Sequence, residues 1–148
     1  MTENLPYMTI GIIAVTTVIS FFAFNNNSLI TNYKFDISAI RQQKKYFQFI
    51  SSGFLHADYT HLLFNMFSFY SFSAAIELNP HYGMNYVLLI YFAAMLAGNL
   101  LSFVYHKNDA YYSAVGASGA VCGIIYASIF MLPGGKIILF MIPYPIPA

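Results

Sequence analysis

Two groups of polar residues sit inside apolar stretches, and their types could do chemistry. In "HLLFN", His61 and Asn65 stand at i and i+4, on one face of any helix that carries them. In "GASGAVCG", residues 116–123, Ser118 lies among glycines and alanines within an uncharged run from Tyr111 to Leu132. A serine hydroxyl becomes a useful nucleophile once a base activates it, and His and Asn side chains can donate to a developing oxyanion. Near the start of a helix, Ser118 would also have free N–H groups and the positive end of the helix dipole beside it. Each group has a structural reading as well. His61 and Asn65 could bond a neighbouring helix and simply hold it in place. Gly119 and Gly123 form a GxxxG pattern, which Gly116, Ala117, Ala120 and Ala127 extend into a small-residue face for close helix packing.

Composition sets the elements that must position these residues. The 148 residues are 59% hydrophobic and 7% charged, with a mean hydropathy of +0.62. Soluble domains are about 25% charged, so this is the composition of a membrane protein. A net charge of +1, with six basic residues and no long basic cluster, argues against a nucleic-acid partner. The single Cys122 excludes an internal disulfide. His56, His61, His81 and His106 have no metal-ligand spacing such as HExxH, so no metal is expected. The length allows one domain.

Four apolar stretches follow one another: 7–24, 60–76, 86–105 and 116–132. Each is close to the roughly 20 residues that cross a hydrocarbon core of about 30 Å. Spans in lipid must satisfy their own backbone groups, which makes them helices. The expectation is an all-α, polytopic helix bundle with four complete spans, and "KIILFMIPYPIPA" from Lys136 as the start of a fifth. The N-terminus is not expected to be a signal peptide, because no Lys or Arg precedes the first apolar run and no small-residue cleavage site follows it. The long connection 25–59 holds four of the six basic residues, Lys34, Arg41, Lys44 and Lys45, mixed with aromatics and Ile. That mixture predicts an amphipathic segment lying at the interface.

The order "GFLHADYTHLLFN", then "GNLLS", then "GASGA" resembles the rhomboid family of intramembrane serine proteases. The resemblance covers nearly the whole chain after the first span, and HxxxN on one helix with GxSG two helices later is its specific part. It implies hydrolysis of peptide bonds in or near the transmembrane helices of membrane-protein substrates, in a complete bundle of six spans. It implies Ser118 as the nucleophile, within the motif that Gly116 and Gly119 frame. His61 and Asn65 map to the oxyanion donors, joined by the backbone N–H of Ser118. His56 maps to a first-loop histidine near the opening of the active site, where polar groups bring in water. Glu77 maps to a glutamate that anchors the long first loop. The serine-protease resemblance implies no organic cofactor. The partners implied are transmembrane substrates and the bilayer, and the location is a bacterial inner membrane. An inactive relative that binds transmembrane helices is the alternative.

Several positions depart from the family pattern. Phe47 and Gln48 stand where the family often has Trp-Arg, so the first loop must be anchored differently. Cys122 replaces a frequent aromatic and reads as a buried structural cysteine. The family's general base is a histidine on the sixth span, and no histidine follows Ser118 here. Residues 1–148 are therefore expected to be the N-terminal portion of a longer protease, inactive alone, with the small face at Gly119 and Gly123 lacking its partner and Ser118 exposed. Charge counting sets Lys34, Arg41, Lys44, Lys45 and Lys107 on one side against Lys136 on the other, which would make the first loop cytoplasmic. The resemblance sets that loop outside, and that orientation is the one expected.

Overall fold

A computed structural model describes residues 5–133 and the backbone of 136–137 and 146–147. Its described part is mostly helical. Helix α1 (Tyr7–Phe24) leads into α2 (Asn27–Tyr33), β1 (Phe35–Asp36), α3 (Ile37–Gln43), α4 (Gln48–Ser51) and a 3-10 turn, Ser52–Phe54. Then come α5 (Tyr59–Glu77), α6 (Met84–His106), β2 (Ser113–Ala114) and α7 (Ser118–Met131). The expected start of a fifth span falls mostly outside the described residues. Its two described pieces, β3 (Lys136–Ile137) and β4 (Ile146–Pro147), pair antiparallel.

The surface is far more apolar than that of a soluble domain, and several polar groups lie inside. The buried stripe of α1 is Thr9, Ile12, Thr16, Ser20 and Ala23, and α5 buries Asn65 and Ser73. The outward faces carry Val18, Phe22, Leu63, Phe67, Leu100 and Phe130. Polar groups turned inward and large apolar groups turned outward suit lipid as the surrounding solvent. Two helices, α1 and α6, are both long enough and apolar enough to cross a membrane. Four complete spans were expected. Helix α5 has 19 residues, but His61, Asn65 and its serines lower its hydropathy. Helix α7 has 14 residues, only about 21 Å at 1.5 Å per residue.

The long helices alternate in direction around a shared core. Leu62, Met66 and Phe69 of α5, Val87, Tyr91 and Met95 of α6, and Ala120, Val121 and Ile124 of α7 pack together, with Ile12 of α1. Helix α1 has no cap residue of its own. Glu77, the last residue of α5, supplies one: its carboxylate accepts from Met8 N at 2.8 Å, Thr9 N at 2.8 Å and Thr9 Oγ1 at 2.7 Å. A negative group at free N–H donors and the positive helix end is favourable. Glu77 thus anchors the start of the first span, whereas the resemblance assigns it to the first loop.

The small face of α7 does have a partner. Gly119 packs against Gly98 and the Ala94 carbonyl of α6, and Gly123 against Ala94 and the Ile90 carbonyl. The expectation that this face would be uncovered is corrected in part: α6 packs along it, because glycines on both sides let the two backbones meet, while Ser118 and Gly119 stay exposed. Cys122, on the other side, is exposed rather than buried.

The connection 25–54 folds onto the end of α6. Strand β1 pairs antiparallel with β2, Phe35 opposite Ala114 and Asp36 opposite Ser113. Phe35, Ile37 and Ile40 bury beneath it against Phe49, Phe103 and Tyr112. Gln48 is buried and donates to the Asn32 carbonyl at 3.0 Å, while Phe47 lies outside against Tyr33. This is how the loop is anchored where the family's Trp-Arg pair is missing.

Candidate active site

Ser118 is the first residue of α7, and nothing caps that helix from Ala117. Its side chain is exposed and borders a cavity of about 240 Å³ with Ser52, Gly98, Asn99, Tyr112 and Gly116. The depth follows from the neighbouring helix. Gly119 meets Gly98, eight residues before the end of α6, so Ser118 starts about 12 Å inside that end. Helix α7 then runs to the far side, where the Tyr82 hydroxyl donates to Met131 O at 3.1 Å. Helix α7 is short because it begins beside Gly98, well inside the length of α6.

The chain turns sharply just before Ser118. Gly116 has φ +124°, and a Cβ there would lie 2.6 Å from His61 Cε1 and 3.0 Å from His61 Nε2. Only glycine combines that backbone with so close an approach of an imidazole. His61 is brought there by α5. Asp58 is the N-cap of that helix, and its carboxylate accepts from His61 N at 2.7 Å. One turn on, Asn65 is buried and its amide donates to the His61 carbonyl at 3.0 Å. His61, Gly116 and the start of α7 therefore converge, and Asn65 lies on the same side of α5. Among the described residues no hydrogen bond joins Ser118 Oγ to a histidine. Free N–H groups of the first turn, an imidazole edge and a hydroxyl could together bind and react with a carbonyl.

His56 is completely buried, not at an opening. Its Nδ1 lies 3.0 Å from Ser20 Oγ, its Nε2 accepts from Ala117 N at 3.5 Å, and its ring sits edge-on to His61 at 5.0 Å. Burial, and then the neighbouring His61, lower its pKa from 6.5 to about 4, with Asp58 opposing. It is neutral at pH 7. Gly116 N donates to Ser52 O at 3.0 Å, and Asn99 binds the same segment through the Phe49 carbonyl at 2.7 Å and Ser52 Oγ at 3.3 Å. Ser20, Ser52, Asp58 and Asn99 were not singled out from sequence. Asp58 carried a signal, an N-cap residue opening an apolar run. The other three are ordinary polar residues in the sequence, and only the packing reveals them. No group of three or more potential ligands that could hold a metal occurs among the described residues.

Comparison with known proteins gives a consistent result. A family model described as Rhomboid domain matches residues 43–148. RHOMBOID-like protein 12, mitochondrial, of Arabidopsis thaliana is 28% identical over 82% of this chain and 40% of its own length. In Bacillus subtilis, the rhomboid relative YdcA is 36% identical over 60% of this chain and 42% of its own length. Rhomboid protease GluP of the same organism is 34% identical over 60% of this chain and 16% of its own. The chain spans less than half the length of these relatives.

Proposed function

The chain belongs to the rhomboid family, and we propose that it carries the nucleophile and oxyanion donors of an intramembrane serine endopeptidase. It is an integral membrane protein, and we propose a bacterial plasma membrane as its site. The observation that carries this reading is Ser118 at an uncapped helix start, roughly 12 Å inside the end of α6, with His61 against the adjoining Gly116.

In this reading Ser118 Oγ attacks a peptide carbonyl and its proton passes to a base. The carbonyl oxygen takes up negative charge, which the Ser118 N–H, His61 and Asn65 stabilise. The amine leaves with a proton, and water releases the acyl group from Ser118. The base is a histidine of a Ser–His dyad. We assign that role to neither His56, whose Nε2 faces Ala117 N, nor His61, an oxyanion donor. Substrates are membrane proteins cut in or near a transmembrane helix. Segments weakened by Gly, Ser or Pro would be preferred, because an intact helix withholds its carbonyls.

The alternative is an inactive relative that binds transmembrane helices. A fluorophosphonate probe on the complete protein separates the two. Labelling that is lost in Ser118→Ala supports the protease, and no labelling of the native protein supports the inactive relative.

A further inference from the structure

Ser20 lies near the C-terminal end of the buried face of α1, a helix that contributes no residue to the proposed chemistry. It is fully buried, and its hydroxyl has two partners. It is 3.0 Å from the Phe54 carbonyl and 3.0 Å from His56 Nδ1. A hydroxyl has one proton, and a carbonyl can only accept. Ser20 therefore donates to Phe54 O, and its lone pair faces His56 Nδ1. That nitrogen must carry the proton, which leaves Nε2 bare. The bare Nε2 is the atom facing Ala117 N, 3.5 Å away. One residue earlier, Gly116 N donates to Ser52 O. Both peptide N–H groups that lead into Ser118 are thus held by the segment 52–56, which α1 secures through Ser20.

We infer that Ser20 is a positioning residue, which fixes the neutral His56 as its Nδ1–H tautomer and so holds the turn that presents Ser118. Without the hydroxyl, the buried Nδ1–H has no acceptor. The ring then gains by moving its proton to Nε2, where it confronts the Ala117 N–H, donor against donor. The turn at Gly116 and Ala117 loses one of its two restraints. Catalysis is sensitive to such displacement: a shift of about 1 Å in a reacting group costs on the order of 100-fold in rate.

The inference rests on the protease reading for its kinetic arm only. In the complete protein, Ser20→Ala should lower kcat by about tenfold or more with KM little changed, and Ser20→Thr, which keeps the hydroxyl, should restore most of it. Independently of activity, ¹⁵N spectra of ring-labelled histidine should report His56 as the Nδ1–H tautomer in the native protein and a shift toward Nε2–H in Ser20→Ala. If Ser20→Ala does not fold, Ser20→Cys, closer in volume and a weaker acceptor, takes its place with the same expected direction. A native His56 protonated on Nε2, or a tautomer and kcat untouched by the substitution, overturns the inference. Native protein with the Nδ1–H signature and no proteolysis would instead sink the protease reading and leave the tether standing.

Discussion

Ser118, His61 and Asn65 differ in what they hold when no substrate is present, and that difference sets what their substitution should do. Ser118 Oγ has no partner among the described residues, so Ser118→Ala should abolish proteolysis while the melting temperature stays within about 1 °C, as for a surface change. His61 fills the space beside Gly116, and Asn65 already uses one amide proton on the His61 carbonyl. Either one changed to Ala should lower kcat more than it raises KM, by up to about 2.7–4 kcal/mol of transition-state stabilisation, as for single oxyanion donors elsewhere. A change in KM alone would return both residues to a packing role. His56 makes a separate prediction. Its pKa falls from 6.5 to about 4 on folding, so between those values the unfolded chain binds more protons than the folded one. Stability must then be lost as pH falls from about 6.5 toward 4, and be flat above that window as far as this residue is concerned. Its titratable neighbours are His61 and Asp58. Thermal unfolding in detergent across pH 4–8, native against His56→Gln, measures it; an equal acid loss in the variant would acquit His56.

At the scale of elements, the helices were legible and their terminal contacts were not. The apolar runs 7–24, 60–76, 86–105 and 116–132 fall within two residues of α1, α5, α6 and α7, because lipid imposes helix on any long apolar stretch. The depth at which α7 begins was hidden, since a run of apolar residues does not say where a turn at Gly116 interrupts it. The first loop was readable as amphipathic but not as folded: β1 pairs with a partner almost eighty residues on, and no local pattern encodes that. Glu77 was noticed for the right residue and the wrong partner, because a carboxylate at one helix end carries no mark of the N–H groups it will meet. Two predictions belong here. Glu77→Ala removes three bonds to the start of α1 and should cost about 2 kcal/mol of stability, with Glu77→Gln between the two in a thermal melt. The glycines of α7 should separate. A Cβ at Gly119 meets only ordinary contacts, the nearest at 3.9 Å, whereas one at Gly123 collides with Ala94. Gly119→Ala should therefore melt close to the native protein and Gly123→Ala well below it; equal melting would mean that α6 and α7 are not in this register.

For the whole molecule, the charges and the expected direction of insertion pull opposite ways. Lys34, Arg41, Lys44, Lys45 and Lys107 gather at the end of the bundle from which Ser118 is reached, because the first loop folds over the end of α6. A count of positive charges would retain that end in the cytoplasm. The count assumes charges on short, free loops, and these are not free. Lys34 pairs with Asp36 at 3.4 Å and donates to Ser113 Oγ at 3.1 Å. Arg41 donates to the Lys107 carbonyl, at the negative end of α6, where a cation is favoured. Charges bound within a folded loop would weigh less in the orientation than the same charges in a flexible one. We therefore expect this end to face outward, with the N-terminus inside. Lys45 is only partly buried, and its neighbour Lys44 is exposed, so Lys44→Cys offers a reporter once Cys122 is replaced by Ala. In intact spheroplasts a membrane-impermeant maleimide should label Lys44→Cys from outside, at a rate unchanged by permeabilising the cells. Labelling only after permeabilisation would put the loop, and the route to Ser118, on the cytoplasmic side.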